Sequence, residues 1–317
     1  MGRYNTRSSL VTAVDIQELG ANVRIYGEID DPAMRYFNPS IAFHDGKLKI
    51  AIRSCNFAVI KKGKWYFRDG NAYSKTDVLY GDLDPETLGV TNLKKLNLSD
   101  DSPTRIKVAG LEDVRLFSRS DGMHCIGFES DRLTRSLHNQ SAALAEYLID
   151  GHELKYLRTL DKLHKEVVEK NWCPSDIPSH KFDFTYSDTQ VFKDGDVLGT
   201  PSTTQIHGGT QLLKQPDGTY ISLVHEKKVD PTLGYVPRNK VIYDKYTYYH
   251  YLALHGKDGV ITKLSKPFRF GTYENIEFAA GMVEYKDDLI ISIGIRDCKY
   301  ALVKVKKSRL IDLIEVK

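Results

Sequence analysis

The sequence predicts an all-β protein whose sheets are arranged as a five-bladed β-propeller. Three observations carry that prediction. One layout recurs along the 317 residues: a small or polar opening, a short apolar strand, an Asp-Gly or Asp-Asp turn, a second apolar strand, then charged residues. It occupies residues 38–53, 110–129, 208–226 and 280–297. Units of about four strands follow one another roughly every 60–75 residues, a spacing that radial repetition explains without leaving long open edges. Finally, no Gly/Ser-rich or Pro-rich linker divides the chain, so residues 1–317 read as a single domain.

Taken in order, the first 30 or so residues are mixed, with a strand at 23–26, and are expected to close or cap the propeller. Asp30-Asp31-Pro32 breaks the chain. Asn38-Pro39 opens the first unit, and Pro39 excludes helix just before it. Strands at 41–43 and 48–52 flank Asp45-Gly46, a two-residue hairpin signal, and a second hairpin joins 57–60 to 65–67 through Lys62-Gly63. Residues 71–109 are polar, with a turn at Asp84-Pro85. The run Gly110-Leu-Glu-Asp-Val-Arg-Leu-Phe117 then sets two carboxylates and a guanidinium at the mouth of a buried strand, and Asp121-Gly122 turns it into a return strand at 123–128.

Residues 139–148 are rich in helix formers, yet 142–149 followed by Asp150-Gly151 also reads as a strand and hairpin, and the β context favours that reading. A short amphipathic helical turn is expected at 160–168, before a polar, aromatic cluster at 169–175. Residues 182–186 and 189–192 alternate like a strand pair, with Asp194-Gly195 as the next turn and a Ser/Thr loop at 199–205. The fourth unit turns at Asp217-Gly218. Tyrosines crowd residues 243–251, with a strand at 248–254; residues 275–281 lead into the last unit, which turns at Asp287-Asp288, and 300–305 form the closing strand.

Composition excludes more than it identifies. Lysine and arginine (45) nearly balance aspartate and glutamate (42) and are spread along the chain, so nucleic-acid binding has no strong electrostatic support. The four cysteines, Cys55, Cys125, Cys173 and Cys298, form no Cys-x-x-Cys pair, which argues against a disulfide scaffold or zinc site and fits free thiols in a reducing compartment. The N-terminus lacks an apolar core, and no run approaches the ~18 apolar residues of a membrane span; a cytoplasmic protein is expected. No His/Asp/Glu cluster has metal-ligand spacing, so neither metal nor cofactor is expected, and the sequence leaves the oligomeric state open.

In a propeller the openings of the innermost strands meet at one rim of the central channel. That would gather Asn38, Glu112, Asp113, Arg115, Lys170, Asn171, His207, Gly208, Gly209 and Glu277, while the strand ends add Arg53, Glu129, His225, Glu226, Arg296 and Asp297. Carboxylates accept from hydroxyls and arginine or lysine holds an anion, so this set suits a polyhydroxylated ligand, with or without phosphate. Glycosidic chemistry needs an acid on the leaving oxygen and a nucleophile or base on the opposite face. Each residue taken singly also has a structural use: strand-end carboxylates cap loops, Gly208-Gly209 makes a tight turn, and His225 fits a partly buried position. Asp113 stands out because Glu112 and Arg115 flank it and can tune its proton affinity. Trp172 is the better candidate for stacking on a sugar, the tyrosines of 243–251 being better suited to packing.

Asn38-Pro39, Glu112-Asp113-Val114-Arg115, Lys170-Asn171, Gly208-Gly209-Thr210, and residues 277–281 and 294–297 occur in an order and rough spacing that resembles the motifs of the mannoside phosphorylases of glycoside hydrolase family 130 and the related β-mannosyltransferases and phosphorylases. The resemblance spans roughly residues 36–305. It implies a five-bladed propeller and an inverting reaction in which phosphate or a sugar phosphate takes part. Asp113 takes the place of the proton donor in a Glu-Asp-Pro-Arg motif. Arg115 would orient it or bind sugar, Arg53 and Lys170 would serve the phosphate side, and Asn171 and His225 would line the sugar subsite. Two departures stand out: Val114 replaces the usual proline, and Gln211 stands where a proline often follows the glycine pair. A phosphorylase and a transferase using a sugar-phosphate or nucleotide-sugar donor are therefore equal expectations. The alternatives are a hydrolase of the same fold, needing a second carboxylate such as Glu226 or Glu277 at about 6.5–9.5 Å, and a non-catalytic glycan-binding propeller.

Overall fold

Strands that are apolar on both faces have to be covered on both sides, and this chain meets that demand with sheets stacked face to face. In Asp288–Ile295, side chains 289, 291, 293 and 295 enter one core layer and Ile290 enters another. In Lys299–Lys306, Ala301, Val303 and Val305 join the first layer, Tyr300 and Leu302 the second. Each buried Leu, Ile or Val contributes roughly 1.5–3 kcal/mol, so this period of two fixes which strand face meets which neighbour.

The computed structural model describes residues 13–27, 34–59, 65–67, 75–99, 110–129, 143–160, 172–175, 184–185, 192–193, 196–197, 206–229, 246–272 and 274–314. Four large sheets dominate. The first is an antiparallel meander of Arg35–His44, Lys47–Cys55, Thr76–Leu83 and Val90–Lys95. The second runs Leu111–Arg119, Gly122–Glu129, Ala143–Asp150 and Glu153–Leu160, with Asn97–Leu98 added in parallel at its edge. The third is built on Ile206–Gly208, Tyr220–Val229 and Tyr246–His255, edged by Ile261–Leu264 and by Phe268–Arg269 with Val14–Asp15. The fourth is Glu277–Tyr285, Asp288–Ile295, Lys299–Lys306 and, from the beginning of the chain, Asn22–Tyr26. Between the second and third sheets lie two short pairs, Cys173–Pro174 with Phe184–Thr185 and Phe192–Lys193 with Asp196–Val197. Among the described residues helix is confined to the 3-10 turn Ile16–Leu19 and the short α-helix Lys307–Ile311.

The core forms layers between successive sheets. Ala42, Ala51 and Val78 of the first sheet meet Leu116, Cys125 and Tyr147 of the second. On its other face, Ile41, Ile50 and Ile52 meet Ile290 and Leu302 of the fourth, and the third and fourth sheets share Leu223, Leu252, Ile291 and Val303. Three strands lie innermost and side by side: Leu116 N donates to Ser40 Oγ (2.9 Å), and a Cβ on Gly281 would lie 2.6 Å from Ile41 N. The contacts are in step, so Arg35–His44, Leu111–Arg119 and Glu277–Tyr285 run in one direction and their openings share one end.

Several expectations hold. Asp45-Gly46 joins His44 to Lys47 with φ of 48° and 70°, the two positive values of a type I′ hairpin. Phe57–Val59 pairs with Trp65–Phe67. The helix-forming run is strand over Ala143–Asp150, because Leu144, Ala145 and Tyr147 are needed in the core. Other expectations shift. The second-sheet turn is Ser120-Asp121, with Gly122 already paired to Arg119, and the fourth-sheet turn is Lys286-Asp287. Phe184–Thr185 pairs back to Cys173–Pro174 and not with the strand at 192. The predicted turns Lys62-Gly63 and Asp194-Gly195, the loop 199–205 and the helical turn beyond Leu160 lie outside the described residues. No helix among the described residues is long and apolar enough to cross a membrane.

Candidate active site

Two inner strands carry the same irregularity at the same end. In the first sheet Phe37 pairs with Arg53 and Ser40 with Ala51, so Asn38-Pro39 faces a single partner residue; in the second, Glu112 pairs with Phe128 and Arg115 with Ile126, so Asp113-Val114 does likewise. These are matched β-bulges. Each begins with a left-handed residue, Asn38 at φ 48° and Asp113 at φ 47°, a conformation that Asn and Asp tolerate better than other side chains and that still costs roughly 1 kcal/mol. Pro39 is harmless there, since a bulge residue is released from the ladder. Val114 occupies the position equivalent to Pro39, so the bulge forms with or without proline.

The bulges aim Asn38 and Asp113 at one another. Asn38 Nδ2 donates to Asp113 Oδ1 (3.0 Å), and Arg53 Nη1 donates to the same oxygen (3.0 Å). Arg53 Nη2 lies 3.2 Å from Glu112 Oε2. The Arg53 and Glu112 side chains are only 6% and 4% exposed, whereas Asp113 retains 17%. Burial works against the Arg53 charge, but Glu112 and Asp113 outweigh it and hold the guanidinium firmly protonated, with Asp297 adding to their field. Arg53 also lies over the Phe37 ring at 4.9 Å.

Arg115 is fully buried behind this cluster. Its Nη1 donates to Ala280 O, its guanidinium lies 5.0 Å over the Phe278 ring, and burial pulls its proton affinity down. The third sheet supplies a row of histidines on adjacent strands, His207 opposite His225 and His225 opposite His250. His225 stacks on Tyr248 (5.1 Å between centroids, 7°) and meets Phe278 edge-on at 5.2 Å. Burial, with His250, His207 and Arg115 nearby, holds His225 neutral, well below the usual imidazole range. Tyr248 is pushed up to about 12 by burial and by Asp297. Asp297 therefore feels both halves of the site, from a turn where Arg296 and Asp297 each have φ 49°.

The structure thus brings together Asn38, Arg53, Glu112, Asp113, Arg115, His207, His225 and Asp297. Gly208 and Gly209 are buried at the same end, where a Cβ on Gly209 would lie 2.6 Å from Leu223 O; they give strands room to approach. Glu277 is fully buried, and its carboxylate accepts from Phe270 N (2.9 Å), Thr272 N (2.9 Å) and Thr272 Oγ1 (2.6 Å), which ties down the loop 270–272. Glu226 accepts from Tyr251 OH (2.8 Å) and pairs with Lys228 (3.1 Å). Trp172 is 4% exposed and packs with Ile126, Phe128, Leu144 and Leu160, a core position and not an open stacking platform. Arg296 pairs with Glu274 (3.2 Å). Lys170, Asn171 and the Glu129 side chain lie outside the described residues. Sequence reasoning missed Phe278, Tyr248 and Phe37. Phe278 and Phe37 each adjoin a flagged polar group in sequence, whereas Tyr248, paired with Lys227, meets His225 only through the fold.

Gln211 joins two inner strands, donating from Nε2 to Ile41 O (2.9 Å) and accepting from Met282 N (3.1 Å). Together with Arg115 it fills the middle of the inner strands. Among the described residues no group of His, Cys, Asp and Glu is arranged to hold a metal ion.

No protein-family model matches the sequence, and no curated protein sequence does. Solved structures do match in fold. A β-1,2-mannobiose phosphorylase from Listeria innocua superposes with a TM-score of 0.56 at 15% identity, covering 93% of this chain and 100% of its own. A GDP-Man-dependent mannosyltransferase from Leishmania mexicana gives 0.59 at 12% identity, covering 90% and 89%. A structure from the GH130 mannoside phosphorylases, described as containing glycoside hydrolases that target β-1,2 mannosidic linkages in Candida mannan, gives 0.57 at 15%, covering 86% and 85%. The group whose motifs the sequence resembles is the group whose fold it shares.

Proposed function

We propose that the chain is a five-bladed propeller, the four large sheets and the short pairs between the second and third forming its blades, that catalyses inverting glycosyl transfer on a mannoside-like sugar. One observation carries the proposal: Asp113, the least buried charge of its cluster, is held on a strained bulge by Asn38 and Arg53 on one carboxylate oxygen. Strain retained at a polar cluster of this kind marks a working residue better than a structural one. In the phosphorolytic direction Asp113 gives its proton to the glycosidic oxygen as the bond to the anomeric carbon breaks, while phosphate attacks from the opposite face. In the synthetic direction, or with a nucleotide-sugar donor, it takes the proton from the acceptor hydroxyl as the new bond forms. Arg53, with Lys170, would form the anion clamp, Arg115 would support the cluster from behind, and Asn38, Asn171, His207, His225 and Asp297 would line the sugar.

Hydrolysis is the second reading. In it Asp297, whose charge is felt at Arg53, the partner of Asp113, would serve as the second carboxylate and activate water. Glu277 is less suited to that task, since its carboxylate is occupied by the loop 270–272.

The test is proton and phosphorus NMR of the purified protein with sugar 1-phosphates and nucleotide sugars, each with simple acceptors, beside Asp113→Asn. Release of phosphate or nucleotide with a new anomeric signal, lost in the variant, establishes transfer and identifies the donor. A free reducing sugar that incorporates label from heavy-oxygen water establishes hydrolysis. Sugar binding that is equal in both proteins without turnover overturns both and leaves a glycan-binding module.

A further inference from the structure

We propose that Gly294 is a positioning residue for Asp113 that acts through Asn38, a role that rests on reading Asp113 as the catalytic acid. Gly294 lies in the regular strand Asp288–Ile295, paired with Phe278 on one side and Tyr300 on the other. Its φ is not positive, so its backbone would accept any L-residue. Space is the obstacle. A Cβ at 294 would fall 1.9 Å from Asn38 Oδ1, 2.9 Å from Asn38 N and 3.0 Å from Asn38 Cγ, and all three atoms belong to Asn38. The missing side chain is a socket for one carboxamide.

That carboxamide is gripped at both ends. Its oxygen sits in the Gly294 socket, and its nitrogen donates to Asp113 Oδ1 at 3.0 Å. Asn38 is 7% exposed and locked by its left-handed bulge, so it has little freedom to adjust. The support for Asp113 thus runs through three sheets: the socket in the fourth, the carboxamide in the first, the carboxylate in the second. A methyl at 294 must push Asn38 aside by more than 1 Å to reach ordinary contact, which breaks the hydrogen bond and leaves Asp113 Oδ1 to Arg53. Gly81 provides a contrast. A Cβ there would meet Thr91 O at 2.5 Å and Leu93 N at 3.1 Å, so that glycine serves packing within the first sheet and not the site.

The experiment uses Gly294→Ala, Asn38→Ala, the double variant, and Gly81→Ala as a packing control. The first readout needs no substrate: the titration of the Asp113 carboxyl carbon by NMR, assigned with Asp113→Asn. Losing a donor to the charged form raises the pH at which a carboxylate titrates. Gly294→Ala and Asn38→Ala should therefore move Asp113 upward by the same amount, and Gly81→Ala should leave it in place. The second readout is turnover of whichever reaction the substrate panel reveals. Each single variant should lose about tenfold or more in kcat, and the double variant no more than either, since both remove one link. An unmoved titration in Gly294→Ala, or losses that multiply in the double variant, would overturn the proposal. If Gly294→Ala does not fold, the double variant should be the more stable of the two, because removing the carboxamide relieves the 1.9 and 3.0 Å contacts and leaves only the 2.9 Å approach to Asn38 N; a double variant no more stable than Gly294→Ala would also count against the idea. If no substrate is turned over, the reading of Asp113 as an acid falls, while the titration still decides the link from Gly294.

Discussion

The three inner strands are built differently at their two ends. At their openings they carry matched bulges, two left-handed residues and a buried guanidinium shared by two carboxylates. At their far ends the same strands run into two-residue hairpins, with Ser118 exposed and His44 half-exposed, around a cavity of about 950 Å³ lined by Phe43, Phe117, Arg119, Leu213 and Val283. Left-handed residues also occur in the far hairpins, at Asp45 and Lys286, and Glu146 is buried there beside His124, so neither strain nor buried charge alone sets the openings apart. What is confined to the openings is the pair of bulges that aims Asn38 and Arg53 at one carboxylate oxygen.

The largest expected effect that would break this contrast is that of Arg53→Met. It strips the cation from Glu112 and Asp113 and should cost about 3 kcal/mol or more, read by denaturant unfolding; a variant as stable as the parent would show that charge at the openings is no more consequential than at the far end. Asp113→Asn should lose at least about a hundredfold in turnover while folding normally, measured by kcat on the substrate found above. Glu277→Gln presents an amide NH2 to donors that now meet a carboxylate, and should cost roughly 1–3 kcal/mol and loosen the loop 270–272, followed by hydrogen exchange at Phe270 and Thr272. A smaller effect concerns Glu86, beside the far-end hairpin of Glu277–Tyr285. Hydrogen bonds from Lys286, Lys304 and Tyr285 hold its carboxyl down at about 2 against an ordinary 4.5. Its contribution is thus fully present above the ordinary range and is lost as pH falls toward 2; Glu86→Gln should flatten that acid limb, and salt should weaken it. The smallest effect sharpens the contrast: Ser118→Ala at the far end should leave turnover unchanged and stability within about 0.5 kcal/mol.

The strands were legible because they alternate, and Asp45-Gly46 because few other dipeptides accept two positive φ values. Asp121-Gly122 misled by one residue. Moving a two-residue turn by one keeps every side chain on its face, but the observed register sets Cys125 opposite Leu116 instead of Ser118, so two core side chains pair across the strands. The site was legible as a set of residue types but not as a geometry. Nothing near residue 113 announces that its partners lie 75 and 60 residues away. Glu277 and Trp172 looked the part because a buried carboxylate that caps a loop and a buried indole leave the same trace in sequence as a ligand contact. Gly294 was legible as the first residue of the motif at 294–297, but nothing in the sequence tied it to the carboxamide of Asn38.

The fourth sheet takes one strand, Asn22–Tyr26, from before the first sheet and three from after the third. During synthesis the earliest strand must wait while the first, second and third sheets emerge, and the wall that seats Asn38 is made last. A nascent chain halted before residue 294 would display Asp113 without its support. The acquisition of function should therefore coincide with the final stage of assembly, and activity, once assayed, would double as a clock for when the fourth sheet is complete.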